Sequence, residues 1–179
     1  MKVLLDACVL YPTVLREVVL KVAGQGLFTP LWSARILEEW ARAARKIGPT
    51  GEAQARAEIA LLRAAWPGAE VAPKAALEAR LWLPDPNDVH VLAAAVAGGA
   101  DAILTFNARD FPGHLLEAEG LVRAAPDGFL MDLWLADPGP VERAVAEVHA
   151  AAERMAGEPM ALRALLKRAR LPRLGKALG

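Results

Sequence analysis

The sequence has a single cysteine, Cys8, and only three histidines. One cysteine excludes an intramolecular disulfide and a cysteine-rich zinc site. The histidines show no zinc-ligand spacing with one another or with Cys8, and His90 is expected on the exposed flank of a helix. A structural zinc is therefore not expected, and a reducing cytoplasm is the natural compartment.

Long uncharged apolar runs are also absent. A membrane-spanning helix needs about 20 such residues, and no stretch of the chain supplies them. The apolar start is interrupted by Asp6 after three apolar residues, and no small-residue cleavage site follows it, so a signal peptide is not expected. We therefore expect a protein that makes no membrane contact.

The last 21 residues contain no acidic side chain. Residues 159–179 hold six basic residues, whereas residues 1–158 hold 15 basic and 21 acidic ones, so the formal net charge is zero. The basic residues form either a solvated helix face behind Leu162, Leu165 and Leu166 or a surface that contacts RNA phosphates. They are Arg163, Lys167, Arg168, Arg170, Arg173 and Lys176.

Helical and strand patterns alternate along the first three quarters of the chain, which is typical of an α/β fold with a parallel sheet. From residue 138 the pattern is helical throughout. The length predicts one domain, residues 1–137, with a helical extension, residues 138–179, packed on it. The predicted strands are 2–5, 27–32, 70–72, 102–105 and 121–124. The predicted helices are 13–23, 33–46, 52–65, 73–81, one after the turn at 84–88, 127–135, 141–156 and 160–170.

Four acidic residues lie at the ends of these strands or on the helices that cover them. Each also has a purely structural interpretation. Asp6 follows the first strand and would cap the next turn, and Asp88, with Asp85 as a competitor, would cap or charge a helix start. Asp110 lies in a loop of turn-forming residues, and Glu39 would be a solvated helix residue beside Glu38.

Their convergence favours a metal site. Carboxyl ends of parallel strands meet at one edge of the sheet, where the four acids would face one crevice. Clustered carboxylates raise one another's pKa unless a cation neutralises them, and all-oxygen ligands suit Mg²⁺ or Mn²⁺. The chemistry that such a site performs best is phosphodiester hydrolysis by metal-activated water. No nucleophile constellation of serine, cysteine or lysine is evident.

The chain resembles a known family at four motifs. They are Val3-Leu4-Leu5-Asp6, Ile36-Leu37-Glu38-Glu39-Trp40, Asp85-Pro86-Asn87-Asp88 before an alanine-rich helix, and Leu104-Thr105-Phe106-Asn107-Ala108-Arg109-Asp110-Phe111. In this order and spacing, over residues 1 to about 125, they resemble the VapC-like PIN-domain ribonucleases that carry an extra helical C-terminal segment.

The resemblance implies a PIN-like α/β/α sandwich and a Mg²⁺- or Mn²⁺-dependent endoribonuclease. It further implies the toxin of a toxin–antitoxin pair, with RNA as substrate, a cognate antitoxin as partner and a homodimer as the assembly. The family's acidic set falls on Asp6, Glu39, Asp88 and Asp110. Asn107 stands where many members have an acid, so either Asn107 or Asp110 completes the metal contacts, and Glu38 is an alternative to Glu39.

A catalytically inactive PIN-like module that binds RNA or a protein is the alternative function. The presence of four mutually repelling acids argues against an inactive module, because such a cluster is unfavourable unless a bound cation neutralises it. The five tryptophans, Trp32, Trp40, Trp66, Trp82 and Trp134, are expected in the core or at an interface rather than as base-stacking platforms.

Overall fold

The computed structural model describes residues 1–179, which form two compact units. The first comprises residues 1–11 and 29–124, and the second comprises residues 12–28 and 125–179. The domain boundary at residue 137 and the packing of a C-terminal extension on the body remain predictions.

The first unit contains a five-stranded, all-parallel sheet with the strand order β3-β2-β1-β4-β5. In the central strand, Leu4 pairs with Leu31 on one side and with Ile103 on the other. A strand with neighbours on both edges and helices nearby is fully buried, which explains its continuous apolar run. The strands are β1 Lys2–Leu5, β2 Thr29–Ser33, β3 Glu70–Val71, β4 Ala102–Leu104 and β5 Val122–Ala124.

Eleven α-helices accompany the sheet. Those of the first unit are α1 Ala7–Leu10, α3 Ala34–Ala43, α4 Gly51–Ala65, α5 Ala75–Arg80, α6 Val89–Gly98 and α7 Gly113–Glu117, with 3-10 turns at Ala44–Ile47 and Pro86–Asp88. Those of the second unit are α2 Thr13–Gly24, α8 Pro126–Ala136, α9 Pro138–Ala156, α10 Leu162–Arg168 and α11 Pro172–Leu178. None of the helices is both long and apolar enough to cross a membrane.

Helix α6 packs across four strands, β3, β2, β1 and β4. Its small side chains allow this close approach: a Cβ added at Gly98 would lie 2.9 Å from side-chain atoms of both Leu31 and Val71. Gly99 then adopts a left-handed conformation, with φ of 63°, and ends the helix as the sequence predicts. The start of α6 is thereby fixed beneath the carboxyl edge of the sheet.

Helix α3 begins at a side-chain cap. The Ser33 hydroxyl accepts a hydrogen bond from the backbone N–H of Ile36 at 3.2 Å, as predicted. Its buried stripe includes Leu37 and Trp40, and the helix packs on α1, α4 and β2. This orientation leaves the adjacent positions Glu38 and Glu39 half-buried at its flank.

In the second unit, α9 packs on α2 and α8, and α11 packs on α8 and α10. Lys21 and Glu147 form an ion pair of 2.8 Å between α2 and α9. The Asp127 carboxylate accepts the backbone N–H groups of Arg173 and Leu174 at 3.0 and 3.1 Å. The prediction of one final helix was incomplete, because Arg170 turns the chain with φ of 63° and a further helix follows.

The fold class predicted from the sequence is therefore confirmed. The protein has an α/β architecture with an all-parallel sheet, flanking helices and a helical C-terminal region.

Candidate metal centre

Asp6 lies directly after β1 and caps the following helix, as the structural interpretation of its position predicts. Its Oδ1 accepts the backbone N–H of Ala7 at 2.7 Å, which caps α1. Its Oδ2 accepts the hydroxyl of Thr105 at 2.7 Å and the thiol of Cys8 at 3.3 Å. The carboxylate is thus held by three donors, and the residue is 8% exposed.

Three further carboxylates form a compact cluster. One oxygen from each of Asp85, Asp88 and Asp110 lies within 4.8 Å of the others. Asp85 begins the 3-10 turn that Asp88 ends, and Asp110 comes from the loop after β4. The carboxylate of Asp85 accepts the N–H of Asn87 at 2.9 Å, whereas the side chain of Asp88 makes no capping hydrogen bond. Of the two candidates for the helix cap, Asp85 is therefore the cap.

The electrostatics of the cluster show how its members act on each other. Burial is the largest cause that raises the pKa of Asp88 to about 6, and the other causes are the neighbouring charges of Asp6, Asp85, Asp110 and Glu39. These charges include Asp6, Asp110 and Glu39, the acids that were predicted to share a crevice with Asp88, and also Asp85, which was not in that set. The arginines of the neighbouring helices pair with glutamates: Arg42 and Arg56 contact Glu38, and Arg35 lies 3.9 Å from Glu39.

Asn107 bridges the cluster. Its Nδ2 donates to Oδ2 of Asp88 at 3.2 Å and to Oδ2 of Asp110 at 2.8 Å. Its Oδ1 accepts the backbone N–H of Asp110 at 3.3 Å, and its own N–H donates to the Thr105 hydroxyl at 3.0 Å. Asn107 and Asp110 thus stand side by side, and which of them would contact a cation stays a prediction.

The carboxylate of Glu39 contacts the ring of His90 at the edge of the site. Oε1 of Glu39 lies 2.7 Å from Nε2 of His90 and 3.9 Å from Nε of Arg35. The first contact has ion-pair distance but lacks hydrogen-bond alignment, and Nδ1 of His90 has no partner at all. The prediction that His90 lies on an exposed flank is wrong: the residue is 4% exposed, because the first turns of α6 are buried.

Glu38, the alternative to Glu39, is committed to a different network. Its carboxylate accepts hydrogen bonds from Arg56 at 2.9 Å and from Arg42 at 3.0 Å. These arginines hold the pKa of Glu38 at about 2. The geometry therefore favours Glu39 as the acid of this helix that belongs to the site.

Two contributors were missed in the sequence. Thr105 was assigned to the end of a strand, yet β4 ends at Leu104 and the Thr105 hydroxyl links Asp6 to the backbone of Asn107. Its position directly after a buried strand was the available signal. Asp85 was considered only as a cap, although the turn that it caps brings its carboxylate to the cluster.

Cys8 has no sign of a reactive thiol. Burial and, after it, the charge of Asp6 raise its pKa to about 11, so the sulfur stays protonated and donates to that carboxylate. The thiol lies 3.5 Å from the Thr105 hydroxyl. Cys8 therefore supports Asp6 and offers no nucleophile.

The donor set fits a hard divalent cation. It consists of carboxylate oxygens with no basic side chain among them, and the raised pKa of Asp88 shows a net excess of negative charge. Oxygen-only sites of this kind suit Mg²⁺ or Mn²⁺. The residues present are therefore compatible with metal binding.

Comparison with known proteins gave one result. The sequence matches the family model of the PIN domain over residues 2–109, well over half of the chain. The matched region contains β1 to β4 and includes Asp6, Glu39, Asp85, Asp88, Thr105 and Asn107. No curated protein and no solved structure matched the chain.

Proposed function

The chain belongs to the PIN-domain family, whose members are generally nucleases that use divalent metals, and from this premise we propose that it is a Mg²⁺- or Mn²⁺-dependent endoribonuclease. The observation that carries the proposal is the cluster of Asp85, Asp88 and Asp110, with Asp6 and Glu39 close enough to raise the pKa of Asp88. Asp6, Asp88 and Glu39 would hold the ion, and either Asn107 or Asp110 would complete the metal contacts.

When bound, the ion would neutralise charge on the phosphate and lower the pKa of an attacking water. The chain's own residues prepare the site for this. Thr105, Cys8 and the N–H of Ala7 fix both oxygens of Asp6, so that carboxylate needs no reorientation. Asn107 holds Asp88 and Asp110 together despite their repulsion.

We further propose the biological role that the family resemblance implies. The protein would act in the cytoplasm as the toxin of a toxin–antitoxin pair, as a homodimer, with a cognate antitoxin as its protein partner. Induced expression should then arrest growth, and the Asp88→Asn variant should not. Light scattering of the purified protein tests the dimer.

The decisive experiment is cleavage of mixed single-stranded RNA by purified protein with Mg²⁺, with Mn²⁺ and with EDTA. Asp6→Asn and Asp88→Asn should each lower the rate at least 100-fold, because each removes a charge that only a bound cation balances. Asp132→Asn is the matched control, since Asp132 is exposed on α8. RNA binding without metal-dependent cleavage by the folded wild type would favour the inactive binding module instead.

A further inference from the structure

A second concave site lies beside the acidic cluster in the first unit. It is a cavity of about 300 Å³ whose walls include Arg35, Glu78, Trp82 and His90. That volume is at the lower end of the range for small-ligand pockets, which leaves room for one nucleobase rather than for a large ligand.

The cavity shares residues with the edge of the metal centre. Arg35 and His90, both in its wall, are the two residues that contact Glu39. Pro86 and Val89 also line it, and they bracket Asp88 in the chain. A nucleotide with its base in the cavity would therefore have its phosphate next to the acidic cluster.

Three features of the cavity are not explained by folding. His90 is 4% exposed, and its Nδ1 has no hydrogen-bond partner, which is costly for a buried polar atom unless a ligand supplies one. Trp82 is 66% exposed, so of its two expected places, the core or an interface, the core is excluded. The side-chain carboxylate of Glu78 takes part in no hydrogen bond or ion pair.

The chemistry of these side chains selects one base. An exposed indole is a platform on which an unpaired RNA base stacks. A carboxylate only accepts hydrogen bonds, and a guanidinium only donates them. Guanine is the base that presents two adjacent donors, N1–H and N2–H, on one edge and two adjacent acceptors, O6 and N7, on another.

We propose that this cavity is a guanine subsite for single-stranded RNA, in which Trp82 stacks on the base, Glu78 accepts its N1–H and N2–H, and Arg35 donates to its O6 and N7. The proposal rests on the nuclease function proposed above, and it adds the substrate preference. It places the guanosine next to the phosphate that is cut, and His90 at the floor of the subsite.

Binding and cleavage must be measured separately. The probes are fluorescein-labelled uridine heptamers that carry G, A, C or U at the central position. Each probe is titrated with the full-length protein, once in EDTA and once in Ca²⁺, and fluorescence anisotropy gives the Kd. The same four RNAs are then cleaved in Mn²⁺. The variants are Trp82→Ala, Trp82→Phe and Glu78→Gln. Leu61→Ala and Glu117→Gln serve as controls, because they remove an exposed apolar side chain and an exposed charge from the same unit away from the cavity.

We expect the wild type to bind the G heptamer about 10-fold more tightly than the others. Trp82→Ala should weaken binding of all four RNAs about 10-fold, because the stacking surface is lost, and Trp82→Phe should retain most of it. Glu78→Gln should reduce the preference for G to within about threefold, because one of the two acceptor oxygens becomes an NH₂ donor that would face a donor of the base. The two control variants should bind as the wild type does.

The outcomes separate this proposal from the nuclease function. Equal binding of the four RNAs by the wild type, or variants that bind as the wild type does, would overturn the guanine subsite even if all four RNAs are cut. Guanine-dependent binding that needs Glu78 and Trp82, without cleavage in Mn²⁺, would support the subsite and overturn the nuclease. Absence of both binding and cleavage would overturn both.

Discussion

Thr105 donates its hydroxyl to Oδ2 of Asp6 across 2.7 Å and thereby joins the ends of two neighbouring strands, β4 and β1. The bond is buried, and the same hydroxyl accepts the backbone N–H of Asn107. The side chain of Thr105 thus positions both Asp6 and the loop that carries Asn107 and Asp110. Supporting bonds of this kind orient metal ligands as strongly as the ligands' own positions do.

Replacing Thr105 by valine keeps the shape but removes both hydrogen bonds. We expect Mn²⁺ affinity to fall about 10-fold or more and the free energy of unfolding to fall by about 1–3 kcal/mol, because a buried carboxylate oxygen and an N–H lose a partner. Isothermal titration with Mn²⁺ and urea unfolding measure the two quantities. Thr105→Ser retains the hydroxyl and should recover most of the affinity, whereas equal loss in both variants would mean that the methyl group matters instead.

Asp88 should make the metal-free protein less stable at neutral pH. Its pKa is raised to about 6 in the folded state from an ordinary 3.8, so the folded state binds the proton more tightly than the unfolded state does. The resulting loss in the free energy of unfolding is absent below about pH 4, where Asp88 is protonated in both the folded and the unfolded state. It grows between pH 4 and 6 and is complete above pH 6. In EDTA, Asp88→Asn should therefore stabilise the protein at pH 7 to 8 by about 1 kcal/mol, a value kept small because the carboxylate is partly exposed.

Urea unfolding at each pH from 4 to 8 checks this prediction. The gain from Asp88→Asn should decrease as the pH falls, and Asp132→Asn, at an exposed site, should show no such dependence. A gain that is constant over the whole range would show that the amide acts through packing and not through charge.

The sequence predicted the strands of the sheet and the ends of the helices better than it predicted the burial of individual side chains. Strand β1 is a buried central strand and reads as an uninterrupted apolar run, and α6 ends at two glycines, so local patterns were enough. The environment of His90 was different. Its burial comes from packing of α6 on distant strands and on α5, which a helical period alone does not encode.

The second set of surprises came from short turns. Asp85 lies in the cluster at the start of the three-residue 3-10 turn that it caps, and Thr105 joins the site because β4 ends one residue earlier than predicted. Turns and strand ends depend on single backbone angles, which composition does not fix. Asp6 and Asp110 were candidates because they follow strands, and Asp88 because it precedes a helix. Glu39 was a candidate beside the apolar stripe of its helix, and the assignment of the four acids to a metal site stays a prediction.

Gly51, at the first residue of α4, is predicted to be intolerant of any side chain. A Cβ there would lie 2.1 Å from the carbonyl oxygen of Ala44, a backbone atom that cannot move without shifting the start of the preceding 3-10 turn. Gly51→Ala should therefore lower the free energy of unfolding by about 1–3 kcal/mol. Gly68→Ala is the matched control, because its Cβ would meet open space, and thermal unfolding of both should separate them by several degrees.

Cys8 should resist alkylation in the folded protein. Its pKa of about 11 leaves almost no thiolate at pH 8, and the sulfur is engaged with Asp6 and Thr105. Iodoacetamide labelling followed by mass spectrometry should be at least 100-fold slower than in urea. An Asp6→Asn variant should label faster, because the anion that raises the pKa of the thiol is gone. Equal rates in the folded and unfolded states would contradict the burial of the thiol.

Asn107→Asp should destabilise the metal-free protein and favour the metal-bound one. The amide now donates to Asp88 at 3.2 Å and to Asp110 at 2.8 Å, and a carboxylate in its place would repel both. In EDTA we expect a loss of about 1–2 kcal/mol in the free energy of unfolding. Mn²⁺ should stabilise the variant more than it stabilises the wild type, because the extra acid lowers the Kd for the ion. At a fixed Mn²⁺ concentration, the stability added by binding rises with the logarithm of the ratio of that concentration to the Kd. Gln25→Glu adds the same charge in the second unit and should show neither effect. A variant that loses stability equally with and without Mn²⁺ would show that Asn107 is a structural bridge only, and would leave Asp110 as the residue that completes the site.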